Sequence, residues 1–191
     1  TEPSLFKDTQ VELACKSIVG DVRSREQLSR ALEQTQPDVV FHLAAQSLVR
    51  QSYAEPIYTL ETNVLGTANL LEVIRLQKKR PSAVVIVTSD KCYENRERPE
   101  PYREDEPMGG HDVYSMSKGA AELVVSSYRR SFFPPSKLAE HNVAIASARA
   151  GNVIGGGDWA EDRLVPDAVR ALSQSQPVAV RNPRSIRPWQ H

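Results

Sequence analysis

Two rhythms of apolar positions alternate along the chain. Short runs of Val, Ile and Phe bounded by polar residues read as buried strands. They fall at Ser17–Val22, Val39–Leu43, Val84–Val87 and Val143–Ala148, with a smaller run at Pro177–Val180. Between them the apolar positions recur every three or four residues, the helical period. One helix is predicted from about Ser24 to Gln34, with Leu28, Ala31 and Leu32 on one side. A longer one, Pro56 to Gln77, carries Leu60, Val64, Thr67, Leu71 and Ile74 on its face and stops at Pro81. A third starts just after Asp112, a plausible N-cap, and runs to about Ser131. A short fourth, Val165 to Ser173, has Pro166 near its start. Thr1 to Leu13 shows no period and reads as irregular. Glu94 to Asp112 is a long polar loop with Pro99, Pro101, Pro107 and Gly109-Gly110; loops of that length are functional or disordered. Strand and helix alternate, which predicts an α/β fold with a doubly wound parallel sheet, Rossmann-like in organisation.

The chain has 191 residues, 40% of them hydrophobic, enough for a sizeable core. Lys plus Arg and Asp plus Glu are both 24, and there is no basic block, so a nucleic-acid partner is not expected. Cys15 and Cys92 are far apart and lack metal-ligand spacing. Neither a disulfide framework nor a metal site is expected, and a reducing compartment is. No apolar run approaches the ~20 residues of a spanning helix, and no signal-peptide pattern opens the chain. These features predict a soluble cytoplasmic domain with no membrane partner.

The chemistry concentrates between Thr88 and Lys118. Thr88-Ser89-Asp90-Lys91 follows the Val84–Val87 run directly, so Ser89, Asp90 and Lys91 sit at the carboxyl end of a strand. In open α/β sheets ligands bind at that edge. Tyr114 and Lys118 are four residues apart and share a helix face. A hydroxyl, a phenol, a carboxyl and two amines beside one crevice make a proton-transfer set. One expected element is missing: no G-x-G-x-x-G strand-turn-helix opens the chain, and Gly155-Gly156-Gly157 is no substitute for it. The sequence reads as the middle of a longer protein, without the N-terminal glycine-rich unit and most of a C-terminal substrate domain.

Tyr114-xxx-Lys118 after a Thr88-Ser89 strand end resembles the extended short-chain dehydrogenase/reductases. Neighbouring motifs narrow this: His42-Leu43-Ala44-Ala45-Gln46, Asn63-Val64-Leu65-Gly66-Thr67, Ser89-Asp90-Lys91-Cys92-Tyr93, Arg149–Trp159 and Ile186–His191. As a set they resemble the CDP-glucose 4,6-dehydratases, from Gly20 onward. The resemblance implies tightly held NAD, a nucleotide-sugar substrate and a homodimer or dimer of dimers. It implies residues 1–150 as a partial NAD-binding domain with the catalytic groups, and 151–191 as the start of the sugar-nucleotide portion. Three steps are implied: oxidation at sugar carbon 4, elimination of water across carbons 5 and 6, and hydride return to carbon 6. Tyr114 would take the hydroxyl proton. A phenol has pKa about 10, so reaching 7 takes about 4 kcal/mol of electrostatic help, from Lys118 and the nicotinamide. Ser89 would share the hydroxyl's hydrogen bond, and Asp90, kept protonated by burial, would be the acid. The related dTDP-glucose enzymes carry Glu where Lys91 stands. A lysine acts as base only when its pKa falls several units from ~10.4, so Lys91 is read as the base or as a polarising group. Implied cofactor contacts are Asp21 and Val22 near the adenine, then Ala44, Ala45 and Gln46, and Thr62 or Asn63. Implied substrate contacts are Asn152, Arg163, Arg181 and Arg187.

Each of these has a plainer alternative. Tyr114 and Lys118 could be a surface pair, Asp90–Lys91 a local ion pair closing a turn, and Asp21 a helix cap. Asn63 could bond only backbone, and Gly155–Gly157 could be only a turn. His42 reads as a packed core histidine, and Arg96, Glu97, Arg98, Arg103 and Glu104 as a solvated loop face. An epimerase of the same fold would need Tyr114 and Lys118 but not the acid, so Asp90 discriminates between the two enzymes. A non-catalytic module of this fold is the third reading.

Overall fold

The computed structural model describes residues 4–191. They divide into two compact units: Val19–Ala150, and the N-terminal residues up to Ile18 together with Gly151–His191.

In Val19–Ala150, Ser24 caps α1 (Arg25–Thr35) by accepting the Gln27 backbone N–H on its Oγ. β1 (Val39–His42) and a short α2 (Val49–Ala54) follow. α3 is helical over Pro56–Leu60 and Gly66–Leu76, with a π-helical segment, Glu61–Leu65, between them. β2 (Ala83–Ser89) runs into a 3-10 turn, Asp90–Cys92. α4 (Val113–Ser131) is capped by Asp112, which accepts the Ser115 backbone N–H at 2.9 Å and the Ser115 hydroxyl at 2.7 Å. β3 (Ala144–Ala150) completes a parallel sheet in the order β1-β2-β3. The register sets Val39 opposite Ala83, Ala83 opposite Ala144, and Ser89 opposite Ala150.

Side chains alternate across a strand, and here alternate positions meet the helices. Val84 and Ile86 of β2 and Ile145 of β3 form one core with Leu70, Leu71 and Ile74 of α3 and Val125 of α4. Leu28 and Leu32 of α1 pack against it. On the other face Val39 and Phe41 remain exposed. Among the described residues, helices cover one face of this Rossmann-like sheet.

Several expected elements take other forms. Ser17–Val22 joins no ladder. A strand forms only against a partner, and among the described residues none lies beside the outer edge of β1. The segment is tied to α1 instead, the Asp21 backbone N–H donating to Gln27 Oε1 at 2.9 Å. The expected single helix over Pro56–Gln77 carries the π segment within it. In the other unit, Pro177–Val180 forms no strand; β4 (Asn152–Val153) pairs in parallel with β5 (Trp189–Gln190). That unit also holds α5 (Leu164–Ser173). A one-turn helix at Leu5–Asp8 and a 3-10 turn at Val11–Leu13 stand where irregular chain was expected. The first three residues of that stretch lie outside the described residues.

Candidate active site

The strand end of β2 and the first turns of α4 build the site. Ser89 caps the Asp90–Cys92 turn, its Oγ accepting the Lys91 backbone N–H at 3.3 Å and donating to Asp90 Oδ1 at 3.1 Å. Lys91 Nζ lies 3.5 Å from Asp90 Oδ1, so the local ion pair is present. The Asp90 side chain is 29% exposed. The deep burial expected to keep it protonated is therefore not supplied by this turn.

α4 packs directly against that turn. Gly119 permits the approach: a Cβ there would stand 3.2 Å from both the Cys92 and the Gly109 carbonyl oxygens. Tyr114 and Lys118, one turn apart, are both buried, so they are not a surface pair. Burial alone lowers the Lys118 pKa from its ordinary value.

A clasp holds this helix against the end of β1. Asn63, within the π segment, accepts the Gln46 backbone N–H at 2.8 Å on Oδ1. Its Nδ2 donates to the Gln46 carbonyl at 3.0 Å and to Ser117 Oγ at 2.8 Å. Ser117 Oγ donates to the Tyr114 carbonyl at 2.7 Å. Gln46 Nε2 donates to Thr59 Oγ1 at 2.8 Å. π segments often mark functional sites; this one turns Asn63 inward to join three elements. Asn63 and Gln46, expected at the cofactor, have their polar atoms engaged inside the protein. Thr62 is buried, and its hydroxyl meets no partner among the described residues. His42 is the packed core histidine expected. Burial, then the Lys118 charge, pushes its pKa down to about 4. Thr67 Oγ1 donates to the Asn63 carbonyl at 2.8 Å, so His42 Nε2, 3.3 Å away, donates to Thr67.

The other sequence-derived residues lie in polar surroundings of their own. Asp21 does not cap α1. Arg23 binds its carboxylate at 2.6 Å, and that hydrogen bond holds the Asp21 pKa below the usual range. Asn69 Nδ2 bonds the Val22 and Arg23 carbonyls at 3.3 and 3.0 Å. Ala44 is exposed and Ala45 half-buried at the end of β1. In the second unit, Asn152 donates its backbone N–H to the Pro188 carbonyl at 2.9 Å. Arg163 pairs with Asp158 at 2.8 Å and Arg181 with Asp162 at 2.9 Å. Arg187 Nη1 donates to the Ile186 carbonyl at 3.0 Å. Gly157 has φ of +78°, which only glycine adopts freely, while Gly155 and Gly156 face open space.

Sequence reading missed a buried network beneath the site. Glu122, one turn past Lys118, accepts from Thr88 Oγ1, from Ser147 Oγ at 2.8 Å and from Arg149 Nη2 at 3.0 Å. Arg149 Cζ lies 4.8 Å from the Tyr93 ring centroid, and Tyr93 stacks on Tyr102 at 5.1 Å. Arg98 covers Tyr102 at 4.7 Å and pairs with Glu106. The polar loop is thus pinned by a stack running from Glu122 to Glu106, and Arg98 is not a solvated loop residue. The signal was present in the Tyr114, Lys118, Glu122 row at four-residue spacing. No group of three or more metal-ligating side chains occurs among the described residues, and no described helix could cross a membrane.

A parallel α/β sheet with Ser89 at a strand end and Tyr114 and Lys118 on the adjoining helix defines a short-chain dehydrogenase/reductase core. The model of the GDP-mannose 4,6 dehydratase family matches residues 4–191, and the chain belongs to that family. It is 55% identical to the CDP-glucose 4,6-dehydratase of Salmonella typhimurium over all of its own length and 53% of that protein's. Against the CDP-paratose 2-epimerase of Salmonella typhi it is 31% identical, over 59% of this chain and 38% of the relative. A crystal structure of the Streptomyces venezuelae dTDP-glucose 4,6-dehydratase DesIV with NAD and TYD bound matches with TM-score 0.73 and 27% identity, over 89% of this chain and 48% of that one. The chain spans about half the length of the Salmonella dehydratase.

Proposed function

We propose that the protein carrying this chain is a hydro-lyase that converts CDP-glucose to CDP-4-keto-6-deoxyglucose and water with NAD as cofactor. The observation that carries this reading is the packing of the Asp90–Cys92 turn, which Ser89 caps, against α4, the helix that carries buried Tyr114 and Lys118. The 55% identity to the Salmonella CDP-glucose enzyme supports the choice of sugar nucleotide. The residues fit a nicotinamide cofactor. Lys118 is 7% exposed, and no hydrogen bond or ion pair engages its ammonium among the described residues. An unpaired ammonium that solvent still reaches, on a buried stem beside Tyr114, suits the hydroxyls of a ribose. When bound, NAD supplies a reversible hydride acceptor.

Tyr114 takes the proton of the carbon-4 hydroxyl, with Ser89 sharing that hydrogen bond and Lys118 stabilising the phenolate. The new ketone acidifies the carbon-5 proton. Asp90 is the acid that protonates the departing carbon-6 hydroxyl. Lys91, 3.5 Å from it, is the base for the carbon-5 proton or polarises the group that takes it. Substrate binding over the half-exposed turn would supply the burial that Asp90 needs to hold its proton. Asn152, Arg163, Arg181 and Arg187 hold the nucleotide sugar; an arginine fork suits a pyrophosphate. Asp21, Val22, Ala44, Ala45, Gln46 and Asn63 shape the cofactor side, Gln46 and Asn63 through the clasp. The enzyme works in the cytoplasm, in keeping with the free thiols of Cys15 and Cys92, and as a homodimer.

The test uses the full-length protein with catalytic NAD and CDP-glucose deuterated at carbon 4. Loss of one water with the deuterium recovered at carbon 6, read by mass spectrometry, is the expected outcome. An isomer of unchanged mass would make the enzyme an epimerase. No conversion of any nucleotide-glucose would point to a non-catalytic module.

A further inference from the structure

Glu122 stands between the two halves of the site without belonging to either. It projects from α4 one turn after Lys118, and its carboxylate receives Thr88 Oγ1, one residue before Ser89. Its second oxygen receives Ser147 Oγ at 2.8 Å and Arg149 Nη2 at 3.0 Å, both from β3. β2, β3 and α4 therefore converge on one carboxylate that is 6% exposed. Burial pushes the Glu122 carboxyl up, but the hydrogen bonds from Arg149, Thr88 and Ser147 outweigh it, and the net direction is down. The group is thus held as an anion with both of its oxygens engaged. Buried ion pairs are poor sources of stability, because apolar residues of similar volume often serve as well. What this arrangement supplies is geometry. A hydrophobic contact tolerates sliding; three convergent hydrogen bonds on a planar group do not.

We propose that Glu122 is a positioning residue for the reaction, fixing through Thr88 the separation between the Ser89–Asp90 strand end and the Tyr114–Lys118 helix face. The inference rests on the reading of those four residues as the reacting groups. Ser147 and Arg149 brace Glu122 from the neighbouring strand. The Thr88 bond is the one that transmits its position to the site.

The two hydroxyls allow a matched test in the full-length protein. Thr88→Val keeps a β-branched side chain of equal size in β2 and removes only the bond to Glu122. Ser147→Ala removes a bond to the same carboxylate from β3, away from the catalytic turn. Thr88→Val is expected to lower kcat on CDP-glucose by about tenfold to a hundredfold, with KM within about threefold, as for a small misplacement of reacting groups. Ser147→Ala is expected to leave kcat within about twofold at a comparable drop in melting temperature. Amide hydrogen exchange over residues 89–93 should quicken in Thr88→Val and stay unchanged in Ser147→Ala. Equal kcat losses in the two variants, or wild-type exchange in Thr88→Val, would overturn the proposal. A wild-type protein inert toward CDP-glucose would sink the dehydratase reading instead, and the exchange contrast would still decide whether the tether exists.

Discussion

Lys118 brings the conflict between stability and chemistry down to one side chain. The residue is buried, its ammonium is unpaired among the described residues but still reached by solvent, and burial lowers its pKa. A depressed lysine pKa means that the unfolded chain binds a proton more readily than the folded one. Stability should therefore rise with pH from the folded pKa up to ~10.4, and the penalty is complete below that window. Lys118→Met removes the buried charge and keeps the volume. The variant is expected to be more stable than wild type at pH 7 by about 1 to 2 kcal/mol in denaturant titration. The gain should shrink as pH climbs toward 10, while turnover falls by about a thousandfold. Equal or lower stability at neutral pH would mean that the ammonium has an acceptor in the free protein. In the proposed reaction Asp90 and Lys91 carry the other half of the chemistry, as a pair in contact. Their adjacency in sequence showed that contact as an alternative. The 3.5 Å contact shows that the alternative and the two proposed roles fall on the same pair of side chains.

Among the elements, the strands and α4 were the most legible, because a Val and Ile run ending in Thr88-Ser89 and an Asp112 cap are local signals. The π segment was not. It conserves the apolar spacing of a helix, and only the backbone shows the extra residue in its turn, the Gly66 N–H reaching back five residues to the Glu61 carbonyl. Ser17–Val22 has strand composition without a strand, since pairing is decided by a neighbour and not by the segment itself. The loop after β2 looked solvated because its arginines are charged. In the folded chain Arg98 lies on the face of Tyr102, and Arg149 of β3 on that of Tyr93. Such stacks contribute about 0.5 to 1.5 kcal/mol per contact. Tyr102→Ala cuts the stack at its centre. Limited trypsin digestion should then cleave within Arg96–Arg103 at a rate at least about tenfold above wild type, with the helices left intact, since a loop loses its protection with its contacts. Unchanged cleavage would assign the order of the loop to the Tyr93–Met108 bridge and the Pro residues instead.

At the scale of the whole molecule, the informative feature is what α3 and α4 leave uncovered. The helices pack on each other through their inner faces, yet Ile57 is 65% and Leu65 55% exposed on α3, and Met116 41% and Leu123 61% on α4. Isolated exposed apolar residues need no explanation, but two packed helices each carry a pair spaced two turns apart, the pattern expected of a seam. A second copy suits it, because a two-fold axis would set the same helix pair against itself and bury all four residues twice. The seam lies on the helices that carry Tyr114, Lys118 and the Asn63 clasp, so dimerisation would stiffen the elements that position the chemistry. Leu123→Glu places a charge at the most exposed α4 position of the seam and disturbs no core contact. In the proposed homodimer this position is buried, so the variant is expected to sediment as a monomer and the wild type as a dimer, because one buried unpaired carboxylate per copy costs several kcal/mol of association. Its turnover should fall while its melting transition becomes independent of protein concentration. A variant that still sediments as a dimer would remove the α3–α4 seam as the interface.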